Sequence, residues 1–173
     1  MLAVDQRVTE VLGAKKVLVV DDEHYGRKVI RTLLQTIGVK TVYEVGDGSA
    51  GLDAICTYTP DIVLVDYEMP GLDGPGFVRA VRSPGTFPYP DIPLVMVTAH
   101  GERSRVIEIA KLGINEYLLK PVSSQALQAR LLSVFLNPRP MVRKGDYYGP
   151  APRKPSTIKL PDDPRYTQII LVN

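Results

Sequence analysis

Four apolar runs in this 173-residue chain end on a polar residue that could do chemistry. "VLVVDDE" breaks at Asp21-Asp22, "DIVLVDYEMPG" at Asp66, "PLVMVTAHG" at Thr98 and "EYLLKPVS" at Lys120. Adjacent carboxylates at the end of a buried strand repel each other and resist desolvation, so stability alone does not account for them. Three oxygen-rich side chains suit a hard cation that keeps several waters, which describes magnesium (Mg2+) better than zinc or copper. Zinc is further disfavoured because His24 and His100 lie far apart and Cys56 has no second cysteine beside it. A magnesium ion next to a lysine and a hydroxyl makes a phosphoryl site. Cation and ammonium neutralise phosphoryl oxygens while the hydroxyl donates a hydrogen bond. A carboxylate held between the metal and Lys120 could itself be the nucleophile and form an aspartyl phosphate. Asp66 is the central candidate, since it ends the strand expected at the middle of the sheet.

The elements that must position these residues alternate along the chain. Strands are expected at 17–20, 41–45, 62–65, 94–98 and 116–119, with helices at about 24–37, 49–58, 75–82, 102–112 and 123–136. In the first helix Val29, Ile30, Leu33, Leu34 and Ile37 recur at helical spacing and Gly38 closes it. Ser123 is a plausible N-cap of the last. The strands read apolar on both faces, as a parallel sheet covered by helices should. The right-handed crossover rule then gives an α/β fold with a doubly wound, five-stranded parallel sheet. Sites in such a sheet form outside the carboxyl ends of the strands, where all the polar breaks fall.

At these residues the sequence resembles the receiver domain of two-component response regulators, over about residues 15–136. The pieces that carry the resemblance are "VLVVDDE", "DIVLVDYEMPGLDG", "LVMVTAHG" and "GINEYLLKP", in family order. The resemblance implies the flavodoxin-like or CheY-like (βα)5 fold. It also implies Asp21 and Asp22 as the acidic magnesium pair, with Asp22 the direct ligand and Asp21 the water-mediated one. Asp66 becomes the phosphoacceptor, Thr98 the switch hydroxyl, Tyr117 the aromatic switch residue and Lys120 the contact to the phosphoryl group. The Glu68 backbone carbonyl completes the metal shell, and the bond before Pro121 is cis. By the same resemblance a histidine kinase or histidine phosphotransfer protein donates the phosphoryl group. Thr98 is then drawn inward and Tyr117 rotates. That changes the surface of the fourth helix, fifth strand and fifth helix, where a downstream protein partner or a second copy of the chain binds. Such a chain is a signalling domain rather than an enzyme, catalysing only its own phosphotransfer and dephosphorylation. Glu68 and His100, two residues after Asp66 and Thr98, are candidates for tuning the lifetime of the phosphorylated state.

Other features compete for attention. "GDGSAG" (46–51) fits a dinucleotide-binding pattern, but it follows the second strand, and the first ends in acids that would repel a pyrophosphate. A turn and helix start is expected there, and "GLDGPG" (71–76) is expected to shape the loop after Asp66, with Pro75 in the first helical turn. The proline-rich "SPGTFPYPDIP" (83–93) reads as a rigid surface loop. Cys56 reads as a buried thiol, and a lone cysteine fits a reducing cytoplasm. No apolar run approaches a membrane span, and residues 1–14 read as a lead-in helix rather than a signal peptide.

Charge is uneven. Residues 1–136 sum to −2, whereas 137–173 sum to +4 and hold 7 of the 15 prolines. This marks a basic, proline-rich extension that cannot fold alone and carries no separate DNA-reading domain. "VRKGDYYGPAPRK" reads as a solvated linker rather than a contact for an acidic partner or nucleic acid, and "TQIILVN" is apolar enough to dock as an edge strand or on a partner. Leu127, Leu131, Leu132, Val134, Phe135 and Leu136 make the last helix wider in apolar surface than one buried stripe requires, which raises pairing through that face. A phosphoryl shuttle or sink, and a regulator acting on nucleic acid through the basic tail, are the competing functions.

Overall fold

The computed structural model describes residues 2–153. Helix α1 (Leu2–Gly13) leads into five βα units. These are β1 (Lys16–Val20) with α2 (His24–Thr36), β2 (Thr41–Val45) with α3 (Gly48–Tyr58), and β3 (Ile62–Asp66) with α4 (Gly74–Val81). They continue with β4 (Leu94–Thr98) and α5 (Arg103–Ala110), then β5 (Glu116–Leu119) and α6 (Ser124–Leu136). The strands pair in the order β2-β1-β3-β4-β5, every neighbour parallel. The order of winding reverses between β1 and β3, which places Asp21, just after β1, beside Asp66 at the end of β3.

Strand alternation sorts the core into two layers. Val17, Val19, Ile62, Leu64, Val95 and Val97 pack with α2, α6 and Leu12 of α1. Leu18, Val20, Val63, Val65, Leu94 and Met96 pack on the other face with α3, α4 and Ile109 of α5. Three helices, α3, α4 and α6, start where the sequence provides caps. The Asp47 carboxylate accepts from the Ala50 N–H, Asp73 from the Gly76 N–H and the Ser123 hydroxyl from the Ala126 N–H, at 2.8, 2.8 and 3.1 Å. "GDGSAG" is thus a capped helix start. Gly48 and Gly51 are packing glycines, since a Cβ on the first would sit 2.6 Å from the Leu72 carbonyl oxygen and on the second 2.8 Å from the Phe77 ring.

Three expectations need correction. Cys56 is exposed, because the buried stripe of α3 runs through Gly51, Ala54 and Ile55 and the next position turns away from it. The width of α6 is largely covered. Leu127, Leu131 and Val134 are buried, and Leu132 and Phe135 pack against the same layer as Val8 and Leu12 of α1, leaving Leu136 exposed. Residues 141–150 are not a solvated linker. They form an antiparallel hairpin, β6 (Met141–Lys144) and β7 (Tyr147–Pro150), turned at Gly145 with φ +59°. The hairpin is held by the domain rather than by a core of its own. Gly149 and Gly113 meet backbone to backbone, so that a Cβ on Gly149 would lie 2.6 Å from the Gly113 Cα. Arg139 donates to the Asn115 carbonyl at 2.6 Å, and the Tyr148 hydroxyl donates to Asp91. "TQIILVN" lies outside the described residues.

Candidate functional site

The polar breaks meet at the carboxyl edge of the sheet. Asp21 follows β1 directly, and its N–H donates to the Val45 carbonyl. Asp66 is the last residue of β3, Thr98 the last of β4, and Lys120 follows β5 with its N–H on the Thr98 carbonyl at 2.8 Å. Asp21 and Asp66 are only 3% and 7% exposed, while Asp22 is exposed. Carboxylate oxygens of the three lie within 4.8 Å of one another. The Lys120 ammonium stands 2.9 Å from Asp66 Oδ1 and 3.6 Å from Asp21 Oδ2.

Local backbone fixes these carboxylates. Asp21 Oδ1 accepts the Glu23 N–H at 2.8 Å, and Arg27 donates to the Asp21 carbonyl at 2.6 Å. A Cβ on Gly26 would lie 2.9 Å from Asp21 Oδ2, so glycine leaves the carboxylate its place. Behind Asp66 the chain doubles back tightly. A Cβ on Gly74 would lie 2.5 Å from the Asp66 carbonyl oxygen, which only glycine tolerates. Gly74 belongs to the "GLDGPG" stretch expected to shape the loop after Asp66, whereas Arg27 and Gly26 carry no such expectation. Both lie in "DDEHYGR", where nothing local says that they serve the Asp21 carboxylate and carbonyl.

The electrostatics are those of an under-neutralised acidic pocket. Burial raises the Asp66 pKa above the ordinary carboxylate range, and Asp21 adds to the rise, while the hydrogen bond and charge of Lys120 oppose it. For Lys120, burial works against the ammonium. The hydrogen bond to Asp66 and the charges of Asp66 and Asp21 outweigh it, so its pKa is raised. Three carboxylates around one ammonium leave net negative charge in a half-enclosed, all-oxygen setting, and this donor set fits a hard divalent cation.

The remaining predicted residues surround the pocket. Thr98 is fully buried, and its Oγ1 accepts the His100 N–H at 2.9 Å. Tyr117 pairs with Met96 and Leu119 with Thr98, so Tyr117 and Thr98 share a sheet face on adjacent strands. Tyr117 is half-buried with the Arg130 guanidinium 5.9 Å from its ring centroid. Glu68 and His100 are paired: His100 Nε2 lies 2.6 Å from Glu68 Oε1, tying the loop after β3 to the loop after β4. Tyr67 stands edge-on to the His100 ring at 5.5 Å and its hydroxyl accepts from Arg105 at 3.2 Å. The Lys120–Pro121 peptide bond is cis.

Comparison with known proteins places this arrangement. Residues 17–132 match the family described as response regulator receiver domain. The chain is 34% identical over 120 residues to the chemotaxis protein CheY of Pseudomonas aeruginosa, covering 69% of this chain and 95% of that protein. It is 35% identical over 121 residues to a probable chemotaxis protein CheY of Rhizobium etli, covering 69% and 92%. A putative response regulator from Chloroflexus aurantiacus superposes with a TM-score of 0.65 at 29% identity, covering 71% of this chain and 98% of that one.

Proposed function

We propose, from the premise that this chain belongs to the response regulator receiver domain family, that it accepts a phosphoryl group on Asp66. The single observation that carries the assignment is the placement of the Lys120 ammonium, 2.9 Å from Asp66 and 3.6 Å from Asp21, at the carboxyl edge of the sheet. Asp66 Oδ attacks the phosphorus of a phosphohistidine. The new O–P bond forms as the N–P bond breaks, and the imidazole leaves with the electron pair. The chain's contribution is positional, because β3 and Gly74 hold the Asp66 carboxylate and Lys120 neutralises one phosphoryl oxygen. Asp21, Asp22, Asp66 and the Glu68 carbonyl would hold magnesium, which supplies further neutralisation of phosphoryl oxygens.

Thr98 donates its hydroxyl hydrogen to the new phosphoryl group, since its lone pair already accepts from His100. Tyr117, on the same face, turns into the space that Thr98 vacates. The surface of α5, β5 and α6 then changes its partner, a downstream protein or a second copy of the chain. The donor is a sensor histidine kinase or a histidine phosphotransfer protein, acting in the cytoplasm of a bacterium. The lone cysteine supports that setting, and no helix among the described residues is long and apolar enough to cross a membrane. The functional division is a lead-in helix (1–14), the receiver (15–136) and the extension (137–173). The Glu68–His100 pair lies beside the path that hydrolytic water would take, so these two residues tune the lifetime of the phosphoryl group.

The test is incubation with magnesium and a small-molecule phosphodonor. Wild type gains one phosphoryl mass and Asp66→Asn gains none; a gain in both or in neither overturns the assignment. For the tuning role, the phosphorylated form of Glu68→Ala or His100→Ala decays at a changed rate. Unchanged decay in both removes it.

A further inference from the structure

A buried carboxylate lies outside the acidic pocket. Glu116, the first residue of β5, is 6% exposed and must be compensated where it stands. Two arginines and a hydroxyl do so. Arg153, from the chain beyond the hairpin, forms an ion pair with Oε1; Arg130 of α6 approaches Oε2 at 3.5 Å; the Ser133 hydroxyl donates at 3.1 Å. Arg130 has a second contact. Because β5 is the edge strand, its guanidinium also reaches the Tyr117 ring at 5.9 Å. One carboxylate is therefore divided between an arginine on the C-terminal arm and an arginine on the aromatic residue next to it in sequence. The arm's other anchors, Gly113, Asn115 and Asp91, all lie at or before the amino ends of β4 and β5.

We infer that residues 138–153 are an intramolecular docking partner for the β5 end of the α5–β5–α6 surface, and that Arg130 is the positioning residue coupling this arm to Tyr117. The inference rests on Tyr117 being the switch aromatic. With the ring where it stands, Arg130 divides its interactions between ring and carboxylate and leaves Oε1 to Arg153. When the ring turns toward Thr98, Arg130 loses the aromatic face, closes on Glu116 and competes with Arg153. Arm release and the phosphorylated arrangement then favour each other, and the coupling is reciprocal by linkage. The arm restrains the output surface until phosphorylation loosens it.

The experiment uses the full chain with magnesium and beryllium fluoride as the phosphoryl mimic. Amide hydrogen exchange is read across 141–151, where the Ala151 N–H is bonded to the Pro140 carbonyl. Saturating mimic speeds exchange there by about fivefold, and Arg153→Ala binds the mimic about fivefold tighter, a coupling at the low end of the usual range. Arg153→Lys, which keeps the charge, returns the affinity toward wild type. In an Arg130→Leu background, Arg153→Ala changes nothing further, which a purely structural role for Arg130 would not produce. Reciprocity requires both the exchange and the affinity to move. If wild type binds the mimic while either stays constant, the arm is only a structural cover and the inference fails. If wild type does not bind the mimic, the phosphoacceptor reading fails and takes the inference with it.

Discussion

At the carboxyl edge of the sheet, Asp21 and Asp66 are buried with one ammonium between them and a third carboxylate beside them. At the amino edge Arg82 and Glu116 are the buried charges, and Arg82 is well supplied with acceptors. Its guanidinium donates to the carbonyls of Gly113, Pro90 and Ile92 and to Asn115 Oδ1, at 2.8, 2.6, 2.7 and 3.0 Å. Burial lowers the Arg82 pKa to about 10, with Tyr147, Asp91 and Tyr148 pulling the other way, so it remains charged at neutral pH. One edge concentrates like charge and leaves it under-neutralised; the other spends four acceptors on a single cation. The first arrangement is poor for stability and useful for holding a cation and a phosphoryl group. The second ties together the 83–93 loop, the turn before β5 and the support for the hairpin.

Breaking either edge should have opposite consequences, and the largest contrast is in chemistry. Asp66→Asn abolishes phosphoryl uptake in mass spectrometry, whereas Arg82→Leu retains it. The next largest is in stability. Arg82→Leu strands four acceptors and lowers the unfolding free energy by about 3 kcal/mol or more, read as a lower urea midpoint at unchanged slope. Adding magnesium sharpens the contrast from the other side. At ten times its dissociation constant it stabilises wild type by about 1.4 kcal/mol, an increment that a chelator removes and that Asp22→Asn weakens.

The smallest effect concerns Asp66 without metal. Its folded-state pKa is raised above the unfolded value, so the ionised group costs stability at neutral pH. That cost is absent below the unfolded pKa and grows as pH rises through the folded one. Metal-free Asp66→Asn therefore melts above wild type at pH 7. The difference shrinks toward zero as pH falls below the ordinary carboxylate range. A lower melting temperature for the variant at pH 7 would show that Lys120 neutralises the pocket fully.

The legibility of the molecule divides along the same line. Strand positions were readable because four- to five-residue β-rich runs punctuated by Asp66, Thr98 and Lys120 carry their own period and their own stop. Strand ends at 41–45, 94–98 and 116–119 agree with the structure to the residue. The convergence of Asp21, Asp66 and Lys120 followed from parallel topology, which puts every strand's carboxyl end on one edge. Cys56 was misread because helix existence was evident while the phase of α3 depends on what it packs against. The pairing of Glu68 with His100 was invisible for a related reason. Both are tuning candidates by position, but 32 residues separate them and only adjacent strands bring their loops together.

By itself, then, the sequence determined the five βα units and the edge at which their polar ends gather, because periodicity and chain stops are local. Tertiary structure alone decided which charges are neutralised and which are not. Arg82 finds its acceptors up to 33 residues away, and Glu116 finds Arg153 across the last helix and the hairpin. The hairpin itself docks where Gly113 and Gly149 let two backbones touch. Burial energies depend on partners, and partners distant in sequence are chosen by packing.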